Sequence, residues 1–268
     1  MRAREVLAMK TIVITGASSG IGAALARHLG REGHRLVLAA RRIEQLNAVA
    51  NESGPNTVTV RADVTRRDDV NRLRDEALRA FETVDVWVNN AGRGITRPAL
   101  ELTDEDVDEM MAINVKSALY GAQAVAPHFL QRGRGHLINI SSFLGRVPLA
   151  THRSAYNAAK AALNALTANL RVDLHRKNPA IHVSLVMPGL VSTDFARNVR
   201  GEGAAAAPPW TPGGGAPQPA MKPQSPEEVA SAIAGLIEKP VAEIYTNPAS
   251  REMARRYFED IDAFEAGM

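Results

Sequence analysis

Two periodicities alternate along the chain. Short β-branched runs are each followed by a stretch whose apolar residues fall three or four apart. Thr11 to Thr15 (TIVIT) stops at a glycine and reads as a buried parallel strand. From Gly20 to Arg31, Ile21, Leu25 and Leu29 share one face of a helix. The alternation continues with a strand at Arg35 to Ala40, a helix at Ile43 to Ala50 and a strand at Thr57 to Ala62. A helix at Asp68 to Phe81 follows, turning Val70, Leu73, Ala77 and Ala80 inward, and then a strand at Val84 to Asn89. Thr103 is placed to cap one long helix running toward Leu130, with acidic residues in its first turn. Beyond it lie a strand at Gly135 to Ser141, a helix at Ser154 to Lys177 and a strand at Ile181 to Met187. A helix from near Glu227 and a seventh strand at Glu243 to Thr246 complete the pattern. Strands alternating with helices imply right-handed βαβ units. The expected fold is α/β, a doubly wound, mostly parallel sheet of about seven strands with helices on both faces.

One stretch departs from this rhythm. Gly201 to Pro226 is rich in Ala, Gly and Pro and holds seven of the chain's 15 prolines. It falls after the sixth strand, at the carboxyl edge where open α/β sheets bind ligands. We expect residues 195–226 to form a lid over a substrate, on a single domain spanning residues 1–268, with residues 1–8 a flexible tail. Composition narrows the chemistry. There is no cysteine, which excludes thiol nucleophiles, disulfides and cysteine-held metal sites. The 32 basic and 29 acidic residues leave a net charge of +3, too balanced to argue for nucleic acid. No apolar run reaches membrane-spanning length, and the seven histidines form no metal-binding spacing. A cytoplasmic protein needing no metal is the expectation.

The turn after the first strand, Thr15-Gly16-Ala17-Ser18-Ser19-Gly20-Ile21-Gly22, lets a backbone approach a pyrophosphate at a helix N-terminus. The second strand ends in Ala39-Ala40-Arg41-Arg42, where a carboxylate would bind the ribose hydroxyls of NAD. Arg41 and Arg42 suit a 2′-phosphate instead, so NADP(H) is favoured over NAD(H). With Asp63-Val64, Asn89-Asn90-Ala91-Gly92, Asn114, Ser142, Tyr156-x-x-x-Lys160 and Pro188-Gly189-x-x-x-Thr193 in that order, the chain resembles the short-chain dehydrogenase/reductase family, a Rossmann-type fold.

That resemblance implies a nicotinamide cofactor and assigns contacts to it. Gly16, Gly20 and Gly22 form the turn, and Ser18, Ser19 and Ile21 lie at the phosphates and ribose. Asp63 binds the adenine amino group, with Val64 beside the ring. Asn90, Ala91 and Gly92 run along the adenosine and centre. Pro188, Gly189 and Thr193 flank the nicotinamide. It also implies a catalytic set of Asn114, Ser142, Tyr156 and Lys160.

Tyr156 and Lys160 are four apart, on one helix face. An ammonium beside a phenol favours the phenolate, giving a tyrosine able to pass a proton in either direction. Ser142 polarises the substrate oxygen, with Ser141 the competing choice. His152 falls near the substrate entrance. By the same resemblance Phe143, Leu144, Val147, Leu149 and Phe195 border a pocket for a small apolar carbonyl or secondary alcohol, with Trp210 in the proline-rich stretch placed to close over it. The resemblance also implies a homodimer or homotetramer, paired through the long helices around Asn114 and Tyr156. Two alternatives remain: a carrier-linked 3-oxoacyl reductase, and a non-catalytic NADP(H) sensor. Arg93, Arg97 and Arg153 do not decide the first.

Overall fold

The computed structural model of the chain describes residues 8–192 and 222–266. Seven strands form one parallel sheet in the order β3-β2-β1-β4-β5-β6-β7. They are β1 (Thr11–Thr15), β2 (Arg35–Ala40), β3 (Thr57–Arg61), β4 (Val86–Asn89), β5 (Gly135–Ile140), β6 (Ile181–Met187) and β7 (Glu243–Tyr245). Register is direct, with Val13 opposite Val37 in β2 and opposite Trp87 in β4. The chain reverses direction across the sheet between β1 and β4, which opens a crevice at the strands' carboxyl ends.

Alternate strand residues feed two cores. Ile12, Ile14, Leu36, Leu38, Val88, Ile138 and Val186 point toward α1 (Gly20–Arg31), α2 (Ile43–Glu52) and, across the switch, the late helix at Pro226–Glu238. Val13, Val37, Trp87, Leu137 and Val183 face α3 (Arg67–Phe81) and the helices after β4. Both faces are apolar, as a sheet covered on both sides requires.

The expected long helix after Thr103 is in fact three pieces. They are α4 (Asp104–Met111), a π-helical turn at Ala112–Lys116, and α5 (Ser117–Arg132). Asn114 sits in that turn, fully buried, and its side-chain amide donates to the Met110 carbonyl. An internal amide competing for helical carbonyls is a physical cause for such a break. After it come α6 (Ser154–Lys177), α7 (Pro226–Glu238), α8 (Pro248–Glu259) and α9 (Ile261–Ala266). The lid boundary expected at 226 needs correction, because Pro226 is already the first residue of α7 and Ser225 caps it. The flanks of the proline-rich stretch are pinned together: Ser192 N donates to Gln224 O, and Gln224 N to Leu190 O, both at 2.9 Å. Thr193, Phe195 and Trp210 lie outside the described residues.

Candidate active site

The glycine turn between β1 and α1 takes two left-handed residues, Gly16 at φ 66° and Gly20 at φ 56°. It is closed from the β4 side. Asn90 Nδ2 donates to Thr15 O at 2.9 Å and Gly16 O at 3.2 Å. The contact is close: a Cβ on Gly16 would lie 2.7 Å from Ala91 Cα, and one on Gly22 2.5 Å from Asn90 Nδ2. Asn90 is therefore engaged with the turn, and Ala91 and Gly92 follow it along the crevice.

Ser19 occupies the N-cap position of α1, yet its side chain does not cap the helix, and no acidic residue stands in the first turn. Its hydroxyl instead accepts from Arg42 Nη2 at 2.8 Å, with Ser18 Oγ at 3.2 Å from the same nitrogen. An α1 N-terminus without a side-chain cap or carboxylate, with a guanidinium beside it, fits a pyrophosphate.

Arg41 lines a cleft of about 810 Å³ with Ala62, Asp63, Arg66, Asp69 and Arg72. The Asp63 loop at its edge is well held. Asp63 Oδ1 accepts from Thr65 N and Oγ1 at 3.0 and 2.7 Å, and Asp63 N donates to Asp69 Oδ2 at 2.8 Å. That backbone bond holds the Asp69 carboxyl below its usual range, with Arg72 adding to it. Val64 is 7% exposed and packs in the core cluster of Val60, Ala62 and Val70.

On the other side of the crevice Tyr156 and Lys160 face inward from α6, 6% and 3% exposed. Lys160 Nζ lies 5.7 Å from the Tyr156 ring centre and donates to Ile140 O at 2.9 Å. Burial pulls Lys160 down to about 7. Burial also pushes the Tyr156 phenol up, against weaker lowering by its hydrogen bond with Ser142 and by the Arg153 charge. The net direction for Tyr156 is upward, opposite to the lowering expected from Lys160, since desolvation penalises the charged form of each group. Gly92 joins these groups to Asn114: a Cβ there would be 2.9 Å from Asn114 Oδ1 and 3.5 Å from Lys160 Nζ. Ser142 Oγ accepts from Leu144 N at 3.1 Å, while Ser141 points elsewhere, donating to Asn164 Oδ1 at 2.6 Å. Of the two serines, Ser142 is the one beside Tyr156.

A family model described as short chain dehydrogenase matches residues 10–203. The chain belongs to the short-chain dehydrogenase family. An oxidoreductase of Bacillus subtilis named YxnA is 37% identical over 190 residues, covering 69% of this chain and 53% of that protein. The chain thus matches about half the length of that relative. Among solved structures, a short-chain dehydrogenase/reductase from Burkholderia phymatum in complex with NAD is similar at 28% identity and TM-score 0.83, covering 95% of both chains. An alcohol dehydrogenase from Thermococcus sibiricus complexed with 5-hydroxy-NADP matches at 29% identity and TM-score 0.73, covering 88% of this chain and 95% of that one. The chain is accordingly of the oxidoreductase type of that family, and similarity to proteins carrying either nicotinamide dinucleotide supports such a cofactor here.

Other parts of the short-chain dehydrogenase were not visible in its motifs. A buried polar chain ties strands to helices: Trp87 Nε1 donates to Asn89 Oδ1 at 2.8 Å, Asn89 Nδ2 to Asn139 Oδ1 at 2.9 Å, and Asn139 Nδ2 to Thr167 Oγ1 at 2.9 Å. Gly121 admits it, because a Cβ there would lie 2.2 Å from Asn89 Oδ1. Asn114 is braced by Arg93, whose backbone N–H donates to Oδ1 at 3.3 Å and whose carbonyl accepts from Nδ2 at 3.0 Å.

Among the expected pocket residues, Phe143, Val147 and Leu149 are corrected to core positions. Phe143 is 1% exposed in a cluster with Val147, Leu149, Met253, Ala254 and Phe264. Leu144 packs against both that cluster and the one containing Tyr156. The C-terminal helices α8 and α9 therefore cover their own subunit at this point. Pro188 O accepts from Phe143 N at 2.8 Å, which ties the end of β6 to the Ser142 turn. Arg93 pairs with Glu109 at 2.6 Å and Arg97 with Asp106 at 3.1 Å. Burial and the Arg153 charge hold His152 below the usual imidazole range. Among the described residues no helix is long and apolar enough to cross a membrane, and no three His, Asp or Glu side chains gather as a metal site.

Proposed function

We propose that this chain is an NADP(H)-dependent reductase or dehydrogenase acting on a carbonyl or secondary alcohol of a small, apolar substrate. The observation that carries the reading is the Tyr156–Ser142 hydrogen bond, on a helix that also carries Lys160 one turn on. When bound, the nicotinamide supplies or accepts the hydride. Tyr156 donates its hydroxyl proton to the oxygen during reduction and takes it back during oxidation. Ser142 donates to the same oxygen as charge grows on it. Lys160, released from Ile140 O, holds the ribose and favours the phenolate. Asn114, its amide engaged with Arg93 and Met110, holds a relay water through its main chain beside Lys160. Arg41, in the cleft beside Asp63, meets a 2′-phosphate, and Arg42 stands by the pyrophosphate from Ser18 and Ser19. Thr193 would complete the nicotinamide side. A homodimer or homotetramer in the cytoplasm is the accompanying expectation.

A 3-oxoacyl-type reductase is the second reading. Arg153 favours it: this guanidinium stands one helical turn before Tyr156, close enough to influence it, whereas Arg93 and Arg97 are paired with acids. Titration of the protein with NADPH and NADH in parallel, followed by a ketone, aldehyde and 3-oxoacyl thioester panel, tests both. We expect NADPH to bind at least about 10-fold tighter, a difference that Arg41→Ala erases. We expect Tyr156→Phe to cut turnover by about 100-fold or more without loss of NADPH binding. Tighter NADH binding would sink the arginine assignment. NADPH binding without turnover of any panel member would favour the sensor.

A further inference from the structure

Tyr156, Lys160 and Asn164 stand at four-residue intervals on α6 and form one buried line, 6%, 3% and 8% exposed. Asparagine is a poor interior helix residue, and apolar side chains fill most buried positions. The partners of Asn164 account for it. Its Oδ1 accepts from Ser141 Oγ at 2.6 Å, and its Nδ2 donates to Gly145 O at 2.9 Å. Ser141 Oγ also lies 3.3 Å from Lys160 O. Gly145 is pressed onto the same turn of α6, where a Cβ would fall 2.6 Å from Lys160 C and 2.7 Å from Lys160 Cβ. Ser142 lies between these two anchors.

We propose that Asn164 is a positioning residue of the active site: its single amide clamps both flanks of the Ser142 turn onto α6 at Lys160. The inference rests on the reading of Ser142 and Tyr156 as the acting pair. The Ser142 hydroxyl is carried on a short turn, and nothing in β5 alone fixes its distance to a tyrosine on another element. Productive geometry tolerates about 0.5 Å of error, and about 1 Å of misplacement costs on the order of 100-fold in rate. Locking Gly145 and Ser141 to one side chain, which shares its helix face with Tyr156, removes that freedom.

The test is Asn164→Leu, close in volume but unable to make either bond. Two readouts separate positioning from mere stability. The first is steady-state turnover: kcat should fall about 10- to 100-fold, while the NADPH Kd stays within about 2-fold because the phosphate turn lies on β1 and α1. The second needs no substrate. Phenolate absorbance, taken as the difference from the corresponding Tyr156→Phe protein, should titrate at higher pH in Asn164→Leu as Ser142 leaves the phenol. A folded Asn164→Leu protein with unchanged kcat, or with an unchanged tyrosine titration, would overturn the clamp. Should that variant fail to fold, Ser141→Ala keeps the Gly145 bond and should lower kcat by about 3- to 10-fold. A wild-type rate in Ser141→Ala would overturn the proposal equally. A wild-type protein silent on every carbonyl counts against the reductase reading instead, and the titration then decides the clamp by itself.

Discussion

Helices α1 and α7 pack side by side on the same face of the sheet, yet their first turns are built on opposite principles. At α7, Ser225 Oγ accepts from Glu228 N at 3.1 Å, Glu228 Oε2 accepts from Ser225 N at 2.6 Å, and Pro226 begins the helix. Glu227 and Glu228 add charge that suits the dipole. At α1 there is a serine in the capping position and no cap, no carboxylate, and an arginine holding the serine's oxygen. The α7 terminus is satisfied by its own sequence. The α1 terminus is left to be satisfied by something else. The lesson is that a helix without a side-chain cap after a glycine turn keeps its free N–H groups open to an anionic ligand.

The contrast can be broken most severely at Gly22. Gly22→Ala puts a Cβ 2.6 Å from Gly16 O and should distort the turn, costing about 3 kcal/mol of cofactor affinity, or about 100-fold in Kd. Calorimetric NADPH titration checks this.

Next comes the buried cation of the site, Lys160, whose ammonium donates to Ile140 O. Burial brings Lys160 to about 7 in the fold, below the ordinary lysine value of 10.5, so between those pH values the unfolded chain binds a proton that the fold does not. Stability of the cofactor-free protein should therefore rise from pH 7 to pH 9, and Lys160→Met should flatten that rise and be more stable at pH 7. Urea midpoints at the two pH values decide it, and a slope that survives the substitution would refute it.

Ser19→Asp gives α1 the carboxylate that α7 has. The NADPH Kd should weaken by about 10-fold while the free protein gains roughly 0.5 kcal/mol. The smallest effect is the mirror change: Ser225→Ala should cost about 1 kcal/mol of stability and leave NADPH binding unchanged.

The alternation of strands and helices was largely legible because burial on both faces writes itself as continuous apolar runs in β1, β2 and β4, whereas the order of strands across the sheet came only with the structure. The α4–α5 break left little mark in composition, and it was the family resemblance that pointed to a backbone irregularity at Asn114. Ala112, Ile113 and Val115 continue an ordinary helical pattern, and only Asn114 signals that an amide will compete for backbone carbonyls. That Tyr156, Lys160 and Ser142 meet was an expectation of the family resemblance carried by the ordered motifs, and the fold brings the three together. The bracing around them could not be read in advance, since Asn89, Asn139 and Thr167 lie in three separate elements and meet only when the sheet forms. Asn164 did leave a trace, one turn beyond Lys160 on the same face. Phe143 was misplaced for a related reason: sequence brings it next to Ser142, but the 3-10 turn at Phe143–Gly145 sends its ring into the cluster under α8 and α9.

The indole of Trp87 turns the central strand into an optical reporter. The chain has two tryptophans, and Trp87 is wholly buried with its N–H held by Asn89. In a Trp210→Phe background every photon of tryptophan emission comes from the middle of the sheet. Its colour and its shielding from water-borne quenchers then follow, in real time, the moment at which β4, β5, α5 and α6 close around one another.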